Sequence, residues 1–184
     1  MLFRSEEARR IMENAGLEPA WQYRLGKVYG HDNLVEGKPC RASSDWDPAT
    51  SAKNAADGDW ATIWSTQSGG DGEGWWMVDL QDLYVIQRVT ILPRQDMHQE
   101  HMQRNIEVQA SNDPAFKTYT VLCEQNEVPW YRKEGKSHES NMWEKFIPEM
   151  EAFRYLRVTS TDPAGHLNLA EFGAYGYPQN GSNL

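Results

Sequence analysis

The stretch Asn54-Ala55-Ala56-Asp57-Gly58-Asp59-Trp60-Ala61-Thr62 crowds two carboxylates, a glycine and a hydroxyl together just ahead of Ile63-Trp64. A glycine between acids is turn chemistry: Gly58 can take positive φ, and Asp57 and Asp59 can accept from their own backbone. A polar turn before a strand is the plainer reading. An oxygen cage for a hard cation is the chemical one, because Ca²⁺ takes six to eight oxygens from carboxylates, carbonyls and hydroxyls.

The segment PRQDMHQEHMQRNIEV holds a second concentration of polar groups. Arg94, Gln95, Asp96, His98, Glu100 and His101 put donors and acceptors on one long loop. His98 and His101 lack a third ligand at a convincing spacing, which argues against a transition metal. Arg94 offers a planar fork of donors for hydroxyls or carboxylates, or a salt bridge to a neighbouring acid such as Asp96. Tryptophans divide by context. Trp64, Trp75 and Trp76 lie within strand-like runs and read as core, whereas Trp46, Trp60, Trp130 and Trp143 lie in polar or loop-like surroundings where an indole can stack on a pyranose.

The elements that position these groups are short β-type runs between turn residues. Trp75–Leu80, Tyr84–Leu92, Ile106–Ala110, Tyr119–Leu122 and Tyr155–Thr159 are strand candidates, several alternating apolar with polar. Such runs, without intervening helices, predict an all-β fold, a sandwich or jelly roll. The first residues differ. Ser5 to Gly16 reads as a short helix with Ala8, Ile11, Met12 and Ala15 on one face, and Glu18-Pro19 ends it. The expected organisation is therefore a helix and linker over 1–32, acting as the tail of a preceding domain, a β-sandwich over 33–177 and a short tail over 178–184.

With 184 residues, 39% of them hydrophobic, the chain is long enough for one domain with a real core. A net charge of −9 repels nucleic acid and anionic lipid, which excludes both as main partners. No run is long and apolar enough to be a membrane span or a signal peptide, and membrane insertion is not expected. Cys40 and Cys123 allow at most one bridge, and free buried thiols are the expected state.

In order along the chain, NLVEGKPCRASS (Asn33 to Ser44), NAADGDWATIW, WWMVDL, LPRQD, IEVQASNDP, FRYLRV and LNLAEFGAYG (Leu167 to Gly176) resemble the discoidin, or coagulation factor 5/8 type C, family. They are most similar to family 32 carbohydrate-binding modules and to the N-terminal domain of galactose oxidase. The resemblance implies a jelly-roll sandwich with a structural calcium ion near one end and a shallow ligand surface built from loops. It also implies the ligands of that ion: the Asn54 carbonyl, the acids Asp57 and Asp59, the carbonyl and hydroxyl of Thr62, and the pair Ala170 and Glu171. In galactose-binding relatives the Arg matching Arg94 donates to sugar hydroxyls. The His and Trp that accompany it there are Ser65 and Ser68 here, and Gln99 and Glu100 stand where an Asn is usual. A glycan other than terminal galactose, read by Trp46, Arg94, His98, Glu100, Trp130 or His166, is the expectation.

No G-x-S-x-G elbow, P-loop or H-E-x-x-H occurs, so the module is read as non-catalytic. SEEARRIMENAGLEPAWQYR resembles the closing tail of bacterial β-helix glycan-active enzymes, which implies a covalently linked catalytic domain in a secreted or cell-surface parent protein. A protein-interaction or spacer module without sugar binding is the alternative.

Overall fold

The computed structural model describes residues 33–67, 74–94, 105–125, 142–148, 151–160 and 167–179. The expected N-terminal helix lies outside the described residues. Among the described residues, nine strands follow in chain order: β1 Cys40–Ala42, β2 Trp64–Ser65, β3 Trp75–Leu92, β4 Ile106–Ser111, β5 Thr120–Gln125, β6 Trp143–Phe146, β7 Ala152–Ser160, β8 Asn168–Leu169 and β9 Glu171–Pro178. Two 3₁₀ helices, Pro48–Thr50 and Ala52–Ala56, sit between β1 and β2 where only turn was expected. Asp47 caps the first, its carboxylate accepting from the N–H groups of Ala49 and Thr50.

The two expected strands Trp75–Leu80 and Tyr84–Leu92 are one strand of 18 residues. Its pairing with β7 shifts register between Asp79 and Tyr84, where Gln81 takes φ 70°. That irregularity lets β3 serve both layers of a β-sandwich. Its first half joins a layer in the order β1-β3-β7-β4-β5, and its second half pairs with β9 on one side and β6 on the other. All of these pairings are antiparallel. A second bulge falls between Ile86 and Arg88 opposite β9, and Gly176 is needed there: a Cβ on it would lie 1.9 Å from the Val85 carbonyl oxygen.

Alternation along the strands builds the core. Trp76, Val78, Leu80, Val108, Ala110, Leu156 and Val158 come from the first layer and meet Val89, Ile91, Phe172 and Ala174 from the second. Trp76 is fully buried, packs 5.3 Å from Phe172 between ring centroids, and donates its indole N–H to the Ala52 carbonyl at 2.7 Å. Truncating a side chain of that size in a core costs about 3–5 kcal/mol. Trp64 is equally buried, as expected. Two tryptophans depart from expectation. Trp143 belongs to β6 and packs against the core, because its strand pairing with Ile91 points it inward. Trp75 turns instead to the outer face of the first layer, against the satellite cluster of Met77, Phe116 and Tyr155.

On that outer face Met77, Arg157, Gln109 and Val121 are successive cross-strand neighbours over β3, β7, β4 and β5. Asp79 and Arg154 form a two-pronged ion pair at 2.8 and 2.9 Å. Cys40 and Cys123 are both free thiols, pushed up to about 12 chiefly by burial.

Candidate cation site and loop surface

The turn after the second 3₁₀ helix is folded by its own side chains. Asp57 accepts from the Asp59 N–H at 2.8 Å and Asp59 from the Ala61 N–H at 2.9 Å, two consecutive Asx turns. Gly58 between them has φ 80°. The Asn54 side-chain amide donates to the carbonyls of Ala49 and Ile63, which clamps both ends of the segment. Its backbone carbonyl is left facing the Thr62 hydroxyl at 3.3 Å.

Oxygens converge on that hydroxyl. Thr62 Oγ1 lies 2.9 Å from Asp57 Oδ2, 3.0 Å from the Asp59 carbonyl and 3.3 Å from the Asn54 carbonyl. Glu171, the first residue of β9, reaches the same turn from 113 residues away and accepts from the Gly58 N–H at 2.8 Å. Register explains how: Glu171 pairs with Leu92 at the end of β3, while Ala170 donates its N–H to the Leu92 carbonyl and is buried. The structure therefore brings Asn54, Asp57, Asp59, Thr62 and Glu171 together, with Ala170 adjacent. Asp59 presents its carbonyl to Thr62 while one of its carboxylate oxygens is spent on the turn.

The electrostatics fit a hard cation. Burial first, then the charge of Asp57 and a hydrogen bond to it, push Glu171 up to about 8, and Glu36 adds to the effect. The Gly58 N–H opposes the rise without cancelling it. Two carboxylates held together with no basic partner among the described residues demand a positive charge or a proton. Among the described residues no three His, Cys, Asp and Glu gather as a metal group. The donor set is two carboxylates with neutral oxygens, which suits calcium and not zinc. Sequence reading missed Glu36. A Cβ on Gly58 would lie 3.2 Å from Glu36 Oε1, so this acid overhangs the turn. It comes from a separate segment, and no spacing signals that approach.

A sequence model of the F5/8 type C domain matches residues 39–172. The chain belongs to the F5/8 type C domain family. No curated protein matches it in sequence. Among solved structures, a chitosan-binding module from a Paenibacillus sp. IK-5 chitosanase/glucanase is 24% identical, with 79% of this chain and 100% of that one covered and a TM-score of 0.63. The family 32 carbohydrate-binding module of Clostridium perfringens NanJ, solved with galactose, is 18% identical over 74% of this chain and 91% of that one, with a TM-score of 0.58. A family 89 glycoside hydrolase from the same organism is 20% identical, with 82% of this chain but 15% of that one covered and a TM-score of 0.61.

On the loop surface of this F5/8 type C domain, Trp46 stands half exposed at 51%. Its loop is pinned from below. The buried Trp64 donates its indole N–H to the Ser44 carbonyl and the Asp45 carboxylate, and the Trp46 N–H donates to the Ser65 carbonyl at 2.8 Å. Arg94 stands two residues past the end of β3, after Pro93, and is half-buried. Ser65, in the place of the galactose binders' His, is buried and pairs with Asn168 across β2 and β8. Trp60 is 48% exposed on the Asp57–Thr62 turn itself. Ser68, His98, Gln99, Glu100, Trp130 and His166 lie outside the described residues.

Proposed function

We propose that this domain is a non-catalytic carbohydrate-binding module that holds an attached glycan-active enzyme on its polysaccharide or glycan, and that a calcium ion is a structural part of its fold. The observation that carries the glycan reading is Trp46, an exposed indole on a loop tied down by two backbone carbonyls and a carboxylate. An aromatic fixed in this way stacks on the apolar face of a pyranose with little further loss of side-chain entropy. Arg94 supplies donors for hydroxyls. The solved relatives support the ligand class, since they include a chitosan-binding module and a module solved in complex with galactose. The glycoside hydrolase of which this chain matches 15% supports attachment to an enzyme, in a parent protein that acts outside the cell or at its surface. Linkage to a catalytic domain raises the enzyme's local substrate concentration without any new contact.

Calcium is assigned to the oxygens of Asn54, Asp57, Asp59, Thr62, Ala170 and Glu171. When bound, the ion supplies the positive charge that this corner lacks. Asp57 and Thr62 belong to the early turn and Glu171 to the last strand, so the set clips β9 to a segment over a hundred residues upstream.

A glycan array probed with the intact domain and with Trp46→Ala and Arg94→Ala tests the reading. Binding to one glycan class, weakened at least about tenfold in both variants while melting is retained, is the expected result. With Ser65 in place of the galactose binders' His, free galactose is expected to bind at about millimolar strength or weaker. No binding across the array would leave a protein-interaction or spacer module.

A further inference from the structure

We infer a second carbohydrate-contact surface on the outer face of the five-stranded layer, formed around Arg157, Tyr119 and Glu107 and suited to a neutral pyranose with adjacent hydroxyls. It takes its ligand class from the carbohydrate-binding reading, but its residues are independent of Trp46 and Arg94. Arg157 pairs with Met77 in the first half of β3, whereas Arg94 follows the far end of that strand in the other layer.

The surface is built before any ligand arrives. Arg157 Nε donates to Gln109 Oε1 at 2.7 Å, and Gln109 Nε2 donates to Glu107 Oε2 at 2.8 Å. The guanidinium lies 4.2 Å from the Phe116 ring centroid and 5.5 Å from that of Tyr119. Phe116 and Gln109 are buried, so the stack and the amide relay rest on fixed supports. Arginine on a tethered Nε, with its plane set by an aromatic, loses little rotamer freedom when its remaining N–H groups are used. Among the described residues Nη1 and Nη2 have no acceptor. They form a ready fork for two neighbouring hydroxyl oxygens. Packing on Phe116 explains the stack, but it does not explain why a half-exposed Tyr119 should flank that fork beside a carboxylate. Tyr119 is 49% exposed and offers an apolar ring of the kind a sugar face covers. One oxygen of Glu107 remains to accept from a hydroxyl.

Local charge selects the ligand class. The positive charge of Arg157 is matched by Glu107, to which it is linked through the Gln109 amide. A guanidinium already matched by a carboxylate draws in a uronate or a sulfated sugar less than an unmatched one would. Donor fork, acceptor and aromatic ring together match a neutral glycan.

Affinity electrophoresis of the whole chain through gels containing xyloglucan, galactomannan, mixed-linkage β-glucan or pectate tests the inference. Arg157→Lys keeps the charge and the stem but not the fork, and Tyr119→Ala removes an exposed ring; melting curves confirm that both fold. Retardation by at least one neutral polysaccharide should persist in part in Arg94→Ala and weaken by about tenfold in Arg157→Lys and Tyr119→Ala, the size of one lost charge-assisted contact. The Arg94→Ala, Arg157→Lys double variant should run unretarded. Unaltered binding in Arg94→Ala with complete loss in Arg157→Lys would fault the loop reading and leave this one standing. Retardation by pectate alone, by no neutral polysaccharide, or abolished by Arg94→Ala alone would overturn the sheet-face site. A dimer that Tyr119→Ala dissociates in sedimentation would overturn it in favour of self-association.

Discussion

Two carboxylates on β strands, Asp79 of β3 and Glu171 of β9, are driven in opposite directions by the same fold. Asp79 receives two N–H groups from Arg154 and is held below the ordinary carboxylate range, first by that hydrogen bond. Glu171 is pushed up to about 8, because it is buried against Asp57 and its nearest donor is a single backbone N–H. One acid has its counter-charge within the chain. The other is set among acids and neutral oxygens, an arrangement that disfavours the folded state unless a cation or a proton arrives. The difference teaches where the fold depends on something besides its own side chains.

Removing the proposed cation should break the comparison most visibly. At calcium about a hundredfold above its Kd, binding contributes about 2.7 kcal/mol to stability. For a domain of this size that is about 5–10 °C in Tm. Asp57→Ala and Glu171→Ala should each lose most of it, and excess chelator should reproduce the loss in the unmodified protein. A melting curve indifferent to chelator, with no metal found by elemental analysis, would sink the calcium assignment.

Acidity sharpens the same contrast. In chelator, Glu171 keeps a proton in the folded state up to about 8 that the unfolded chain releases near 4.5. Stability should therefore fall as pH rises through that window, because the folded state binds more protons there. Glu171→Gln should flatten the decline, and calcium should restore most at the alkaline end. A chelated protein whose Tm is level from pH 5 to 8 would contradict the burial and Asp57 repulsion assigned to Glu171.

How far this contrast was legible in sequence depends on distance along the chain. The Asp57–Thr62 turn could be read because its acids, glycine and hydroxyl are local, and local spacing dictates Asx turns. Alternating apolar residues likewise marked the strands and the sandwich. Continuity of β3 could not be read, since Gln81-Asp82 looks like a turn and is instead a bend within one strand. Trp143 was misread for a related reason: a four-residue strand in a polar stretch gains its inward face only by pairing with β3. Glu36 over Gly58, and Arg157 between Phe116 and Tyr119, are meetings of distant segments with no spacing signature.

The Asp79 side of the comparison predicts a smaller effect with the opposite sign. Its carboxyl is depressed below 3.8, so the pair contributes above that pH and is lost as pH falls through the folded value. Asp79→Asn should remove part of the acid sensitivity below pH 4. At neutral pH it should lower Tm by less than Asp57→Ala does in calcium, because the Asp79 side chain is 26% exposed and that of Arg154 43%. A neutral-pH loss as large as that of Asp57→Ala would mean that the pair, and not the cation corner, clamps the layers together.

Trp46→Ala should have the smallest effect on stability, and this separates the roles of the two tryptophans in its loop. Trp46 is half exposed and its backbone N–H ties the loop to the Ser65 carbonyl whatever its side chain, so removing the ring should cost no more than about 0.5 kcal/mol. Trp64 beneath it is fully buried and donates to Ser44 and Asp45, so Trp64→Phe loses a buried donor as well as packing. The expected pattern is an unchanged melting curve with glycan binding weakened by about tenfold or more in Trp46→Ala, and a lowered Tm with binding weakened through a loosened loop in Trp64→Phe. Equal destabilisation by both would place the Trp46 ring in the structural support of the loop and remove it from the ligand surface.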